Sequence, residues 1–285
     1  MIQLDRIVIT TFPGYFFTTV LCIRSVQKYF PNLPIDIVID DVNIDLWPTY
    51  VDDVKHYLST EFPNLNFIQF SQIPEIASNN FNYMLISGWF RQQLIKLHLD
   101  QLVTQDTWLV VDADVIFYEP PEVETVSIHD YSDAVNLINN GNRRYTQYML
   151  EVNDPFVGPD EEHWEVSDVP YRVLTRDLLT SLRNHVEQRH QTNFLNLHNS
   201  LIFSKKIDAH GTDMTMSEFH LIEVFRNKCY PTAIQKVGKY PRSKFLHSCT
   251  KDWMQDPHWF ESQSITIPNN FWNSLQSMKK NYLLS

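Results

Sequence analysis

The segment LVVDADVIF carries two carboxylates, Asp112 and Asp114, directly after a run of apolar residues. On a strand, side chains two apart point the same way, so this spacing is expected to bring both carboxylates to one point. Two carboxylates converging at a strand end suit a hard divalent cation such as Mg²⁺ or Mn²⁺. A cation held there would neutralise a diphosphate and stabilise it as a leaving group. Coordination positions would stay open, and the neutral imidazole of His247 is a suitable further ligand. His247 stands among Lys236, Lys239, Arg242, Lys244 and Lys251, which supply the positive charge a diphosphate needs. A pair of turn aspartates and a structural histidine would give the same letters, so position has to decide.

The elements ahead of the motif alternate strand and helix. Arg6 to Phe12 (RIVITTF) is a β-branched strand closed by Pro13-Gly14. Tyr15 to Phe30 has apolar residues at helical spacing, and Pro31 and Pro34 break the chain after it. Asp36 to Asp40 and Asn66 to Phe70 read as strands two and three, with a helix over Val51 to Phe62 between them. Gly88 to Leu102 carries a broad apolar stripe (Phe90, Leu94, Leu97; Ile95, Leu99, Leu102) and reads as a helix. Thr107 to Val111 is then a continuous apolar run, as expected of a strand covered on both faces. This alternation predicts an α/β fold with a mostly parallel, doubly wound sheet. Ligands of such sheets bind beyond the carboxyl ends of the strands, where Asp112 and Asp114 are expected. Residues 121 to 175 look loop-dominated, and helices are expected over Arg176 to Arg189, Met216 to Arg226 and, after irregular structure, Phe271 to Lys280.

Several further residues fall near the same end of the sheet. Arg91 and Lys96, with Gln92 and Gln93, lie on the helix before the motif. A guanidinium fork and an ammonium there could meet a phosphate or nucleoside, or they could line a solvated helix face. Thr10, Thr11 and Phe12 close the first strand and could hold a base and ribose. Asp40 and Asp41 end the second strand and serve equally well as loop caps. Ser217 before Glu218 has the form of a helix N-cap, while Glu218 is also a candidate acceptor contact or general base. Trp164, in the loop 160–171, could stack on a sugar or base, or belong to the core.

Composition narrows the class. The chain has 285 residues, 43% hydrophobic and 13% aromatic, enough for one large α/β domain or two small ones. No linker separates two units. Only six glycines occur, and neither GxGxxG nor GxxxxGK[ST] is present, so if the chain binds a nucleotide, charge and metal must hold the phosphates. The net charge of −11 argues against a general polyanion-binding surface, yet residues 226–285 carry nine Lys/Arg against three Asp/Glu. No apolar run reaches membrane-spanning length and the start does not read as a signal peptide. Three scattered cysteines (Cys22, Cys229, Cys249) suit free thiols in a reducing compartment. A cytoplasmic protein is expected.

These segments together resemble the GT-A class of glycosyltransferases. ITTFPGYFFTTVLCIRSVQKYFPNLPIDIVIDD is similar to that class's first βαβ unit, and GWFRQQLIKLHL with the Asp112-Ala113-Asp114 strand resembles its donor helix and metal motif. His247-Ser-Cys-Thr-Lys251-Asp-Trp253 is similar to the His…Lys-x-Trp segment of family 8-like members, with Asp252 where proline is usual. Ser217-Glu218-Phe219 resembles an acceptor-side Ser-Glu-Tyr segment. The resemblance implies one GT-A-like domain over residues 1–285. Residues 1–120 would bind the nucleotide-sugar, and an irregular region within 121–285 would bind the acceptor and complete the metal and phosphate contacts. It implies Mn²⁺ or Mg²⁺ on Asp112, Asp114 and His247. A nucleoside diphosphate sugar, expected to be a UDP-sugar, would meet Thr10, Thr11, Phe12, Arg91, Lys96, Asp112, Ala113 and Lys251. Trp164, Glu218 and Trp253 would face a hydroxyl acceptor, with Glu218 as the catalytic candidate.

The acceptor itself is open: a saccharide or polysaccharide, or a hydroxylated base of viral DNA tracked by the basic C-terminal stretch, Arg143-Arg144 and Lys205-Lys206. Two other classes compete. Asp112-Ala-Asp114-Val115 also satisfies the DxDx[TV] motif of haloacid-dehalogenase-type phosphohydrolases, although that motif usually sits on a first strand. A non-catalytic nucleotide-sugar-binding module would keep the same fold. The sequence leaves oligomeric state and stereochemical course open.

Overall fold

The computed structural model describes residues 3–12, 15–41, 49–73, 76, 88–117, 140–151, 171–204, 206, 214, 216–229 and 245–247. Its first half alternates as the sequence predicts: β1 (Arg6–Thr11), α1 (Phe16–Tyr29), β2 (Ile35–Ile39), α2 (Tyr50–Glu61) and β3 (Leu65–Gln69). α3 (Gly88–Leu97), a short α4 (Leu99–Leu102) and β4 (Thr107–Asp112) follow. β5 (Val115–Phe117) leaves the sheet after a two-residue turn. The later elements are α5 (Asn140–Leu150), β6 (Tyr171–Thr175), α6 (Arg176–His190), α7 (Phe194–Phe203), α8 (Glu218–Lys228) and β7 (Phe245–His247).

Five strands form one sheet in the order β3-β2-β1-β4-β6. β1 to β4 are parallel, and β6 joins antiparallel beside β4. β5 and β7 form a separate antiparallel pair. The fold is thus α/β with a mostly parallel sheet, as expected. Among the described residues no helix is long and apolar enough to cross a membrane.

The period-2 alternation of the strands divides the core in two. Ile7, Ile9, Ile35, Ile37, Ile39, Leu109 and Val111 pack on one face, against Val20, Ile23 and Val26 of α1 and Val54 and Leu58 of α2. Val8, Val38, Ile68, Trp108, Val110 and Leu174 pack on the other, against α3, α5, α6, α7 and α8. Among the strand residues of this sheet, the charged side chains Arg6, Asp36, Asp112 and Arg172 all alternate onto the second face. The first face carries no charged strand residue, and on it Thr11 Oγ1 lies 2.7 Å from Thr19 Oγ1 of α1.

The structure departs from the sequence reading in the second half. Residues 121–175 are not all loop: α5 and β6 fall within them, and α7 is a further helix. α5 opens with NGNRR, which has no apolar residue to announce a helix, and its buried contacts (Tyr145, Met149, Leu150) come only afterwards. β6 is five residues with Arg172 at its second position, a charge that interrupts an otherwise apolar strand. The expected single helix over 88–102 is divided at His98, whose backbone N donates to Ile95 O (3.0 Å) and whose Nδ1 bonds Leu94 O (2.7 Å). The helix expected over Phe271 to Lys280 lies outside the described residues.

Candidate functional site at the switch point

From β1 the chain adds β2 and β3 on one side, then returns to set β4 on the other side of β1. The order reverses between β1 and β4, and a crevice opens beyond the carboxyl ends of two strands where this happens. Thr10 and Asp112 are directly paired in register at that point. Both belong to the face that meets α3 and α8, so side chains from four elements come together at this end of the sheet.

Lys96 of α3 organises them. Its Nζ lies 2.5 Å from Asp112 Oδ1 and 2.7 Å from Glu218 Oε1. Lys96 and Glu218 are buried at 2% and 3% side-chain exposure, while Asp112 retains 15%. The contact to Glu218 is a hydrogen bond. The contact to Asp112 Oδ1 is the shorter of the two, and Asp112 is the stronger of the two charges acting on the ammonium. Burial alone would lower the lysine pKa, but Asp112 and Glu218 outweigh it and hold Lys96 protonated above the ordinary value. Burial pushes the Asp112 carboxyl above the usual aspartate range, with Lys96 pulling the other way. The ammonium also lies 4.6 Å from the Phe219 ring centroid.

Glu218 is the first residue of α8, capped by Ser217, whose Oγ accepts from His220 N at 3.4 Å. Its own backbone N donates to Gln93 Oε1 of α3 (3.1 Å). Gln93 and Lys96, three apart on α3, therefore grip the same helix start. The solvated-face reading of this helix does not hold: Arg91, Gln93 and Lys96 are all buried, and only Gln92 is partly open among residues 90–100. Arg91 Nε donates to Asp40 Oδ2 (2.7 Å), so its fork is engaged by the aspartate that ends β2. Asp41 accepts from Gln69 Nε2 (2.9 Å), Ser71 N (2.9 Å) and Ser71 Oγ (2.5 Å), which ties β2 to the end of β3.

The remaining predicted residues fall as follows. Thr10 is buried and its Oγ1 has no hydrogen-bond partner. Thr11 turns to the opposite face, and Phe12 packs at a tilt against Tyr15 with ring centroids 4.4 Å apart. Strand β4 ends at Asp112, so Ala113 and Asp114 form the turn to β5 rather than continuing the strand. The strand-parity expectation for the two aspartates is therefore replaced by turn geometry. Asp114 is 5% exposed, and both carboxylates act on the buried Cys22 thiol, whose pKa is pushed up by burial first and then by Asp114 and Asp112. The backbone of His247 pairs with Val115, the residue after Asp114. Trp164, Lys251 and Trp253 lie outside the described residues.

Among the described residues no three His, Cys, Asp or Glu side chains cluster as a metal site. Two carboxylates are nonetheless an adequate protein share for Mg²⁺ or Mn²⁺, which take one or two carboxylates and fill the rest of their shell with water and substrate phosphate. The oxygen chemistry of Asp112 and Asp114 fits such a cation.

A second ionic group lies beside the first and was not legible in the sequence. Arg172 of β6 lies 3.7 Å from Glu223 of α8. Arg226 donates to Glu223 at 3.0 Å and to Val173 O at 2.9 Å. Phe219 is flanked by Arg172, 5.1 Å from the ring, and by Lys96. The i, i+3 spacing of Glu223 and Arg226 was the only local signal; Arg172 comes from a strand the sequence concealed.

Residues 19–273 match the model of DUF6492, a family of unknown function. No curated protein matches the chain. Among solved structures, the galactosyltransferase LgtC in complex with donor and acceptor sugar analogues is similar at 12% identity and TM-score 0.48, over 94% of this chain and 99% of that one. The apo form of the bifunctional glycosyltransferase WbbM is similar at 13% identity and TM-score 0.40, over 88% of this chain and 46% of that one. Apo GlyE, a glycosyltransferase of Streptococcus pneumoniae TIGR4, is similar at 11% identity and TM-score 0.38, over 97% and 64%. All three TM-scores fall below 0.5.

Proposed function

The chain belongs to the DUF6492 family, and we propose that it is a metal-dependent glycosyltransferase acting on a nucleoside diphosphate sugar. The observation that carries this reading is the position of Asp112: it ends β4 at the topological switch point, next to Thr10 and above a buried lysine. The resemblance of the Asp112-Ala113-Asp114 strand and its preceding helix to the GT-A class supports it. In the proposal residues 1–120 bind the donor, residues 121–285 bind the acceptor, and both belong to one domain.

Asp112 and Asp114 would hold Mn²⁺ or Mg²⁺, with His247 and Lys251 approaching from the C-terminal segment. The cation would supply charge neutralisation of the departing diphosphate. Thr10, whose hydroxyl is buried without a partner, would bond the nucleotide. Thr11 and Phe12 would shape the floor beneath it. Arg91, pinned by Asp40, would fix the end of β2 against α3. Glu218 is assigned a holding role: it shares its carboxylate with Lys96 and so keeps Asp112 in place. A retaining course, as the family 8-like resemblance implies, needs no base at that position.

The test is turnover. Purified protein supplied with UDP-sugars and Mn²⁺ is expected to release UDP, by hydrolysis or by transfer to an added saccharide, and to stop when the cation is chelated. Full activity in Asp114→Ala, or phosphate release from simple phosphoesters without a nucleotide product, would sink the reading.

A further inference from the structure

The two carboxylates around Lys96 are not held alike. Glu218 is fixed twice, by its hydrogen bond from Lys96 (2.7 Å) and by its backbone N on Gln93 (3.1 Å). Asp112 is held from one side, by the 2.5 Å contact of its Oδ1 with the ammonium. It is also the most exposed of the three, at 15% against 2% for Lys96 and 3% for Glu218. The arm from Lys96 to Glu218 is therefore a brace between α3 and α8, and the arm to Asp112, the more exposed carboxylate, is the one placed to release to an incoming ion.

Charge gives that release a direction. One ammonium faces two carboxylates, which leaves the trio formally one negative charge over. A buried excess of negative charge draws a cation. A divalent ion arriving at Asp112, however, meets a positive charge already in contact with the same carboxylate. Like charges this close in a poorly solvated site repel strongly.

We propose that Lys96 is the resident counter-cation of the site, a positioning residue that holds Asp112 against Glu218 and competes with the divalent ion for it. The proposal rests on the metal reading above. It makes metal affinity a balance between the incoming ion and an ammonium that the fold supplies. Neutralising Lys96 should then strengthen metal binding, although it removes a well-packed buried contact.

The experiment is titration of Mn²⁺, followed by loss of the free-ion electron paramagnetic resonance signal, on full-length protein without nucleotide. Lys96→Gln, which keeps hydrogen-bonding capacity without charge, is expected to bind Mn²⁺ about tenfold tighter than the native chain. Lys96→Arg should restore the native affinity, which a merely structural role for the charge would not require. Unchanged or weaker binding in folded Lys96→Gln overturns the proposal. If that variant does not fold, Glu218→Gln carries the test: Lys96 is then left to Asp112 alone, Mn²⁺ binding should weaken, and unchanged or tighter binding overturns the inference. Asp112→Asn separates the two layers. Native-like Mn²⁺ binding in that variant defeats the metal reading itself, whereas loss there with no gain in Lys96→Gln defeats only the role of Lys96.

Discussion

At the amino end of the charged sheet face, Asp36 is met by Arg6 and accepts from Asn66 Nδ2 at 2.9 Å. At the carboxyl end of the same face, Asp112 and Glu218 divide a single lysine, Asp114 stands two residues on, and Thr10 Oγ1 has no partner. The first cluster sets one charge against one charge, although the buried Arg6 Nε has no hydrogen-bond partner among the described residues. In the second, two carboxylates share one ammonium, and Thr10 Oγ1 has no hydrogen-bond partner among the described residues. Both are buried, in the same sheet, within one strand length of each other. Burial of charge alone therefore does not mark a site; what marks it is charge left uncompensated where a doubly wound sheet opens.

Substitutions at the two ends should separate function from stability. The largest effect is expected of Asp112→Asn, which should lower sugar-transfer turnover roughly a thousandfold by removing a cation ligand. Its thermal unfolding should change little, since Lys96 keeps its hydrogen bond to Glu218. Turnover within tenfold of native would erase the distinction between the ends. Arg6→Met should do the reverse: it strands the buried Asp36 carboxylate and costs about 3 kcal/mol of stability at neutral pH, read by urea unfolding, with nucleotide binding unchanged. Burial already raises the Asp36 pKa, so the penalty should shrink as the pH falls and the stranded carboxylate takes a proton. A penalty independent of pH would mean that packing, not charge, was lost.

Acid probes the helical layer that carries this face. Burial lowers the pKa of His98 to about 3, with Arg183 the next cause, and burial lowers His198 to about 4. Both rings are fixed as neutral: His98 Nδ1 bonds Leu94 O, and His198 joins Phe194 O (2.9 Å) to Tyr145 Oη (2.6 Å). The unfolded chain takes protons near pH 6.5 and the folded chain does not, so stability present above pH 6.5 should be lost as the pH falls toward 4 and then 3. Each histidine contributes a slope of up to about 1.4 kcal/mol per pH unit. His198→Gln should flatten the melting-temperature profile between pH 6 and 4, and an identical profile would remove this histidine from the account. The smallest effect is expected of Ser217→Ala: losing the cap of α8 should cost about 1 kcal/mol or less, and a much larger loss would mean that Ser217 also braces Glu218.

The two ends differ in how far the sequence revealed them. Strands β1 to β4 were legible within a residue or so, because β-branched and apolar runs bounded by proline and polar turns leave little choice. Asp112 was legible for the same reason, as a carboxylate that ends an apolar run. Its partners were not. Lys96 and Gln93 lie beside the apolar stripe of α3 and read as solvent-facing until the helix is seen to be buried nearly all round. Glu218 comes 122 residues later than Lys96, and no local pattern encodes that separation. Arg172 was hidden because a charge interrupts a five-residue strand. Ser217 did show its cap, and that reading held beside a contact the cap did not foretell.

The account turns on Asp112 as a donor site that works through a divalent ion, and calorimetric titration of UDP into the native chain and Asp112→Asn tests it most directly. With Mn²⁺ present the native chain should bind UDP, the binding should vanish under chelation, and Asp112→Asn should weaken it at least about a hundredfold. Equal binding with and without the cation, or equal binding in the variant, would contradict it.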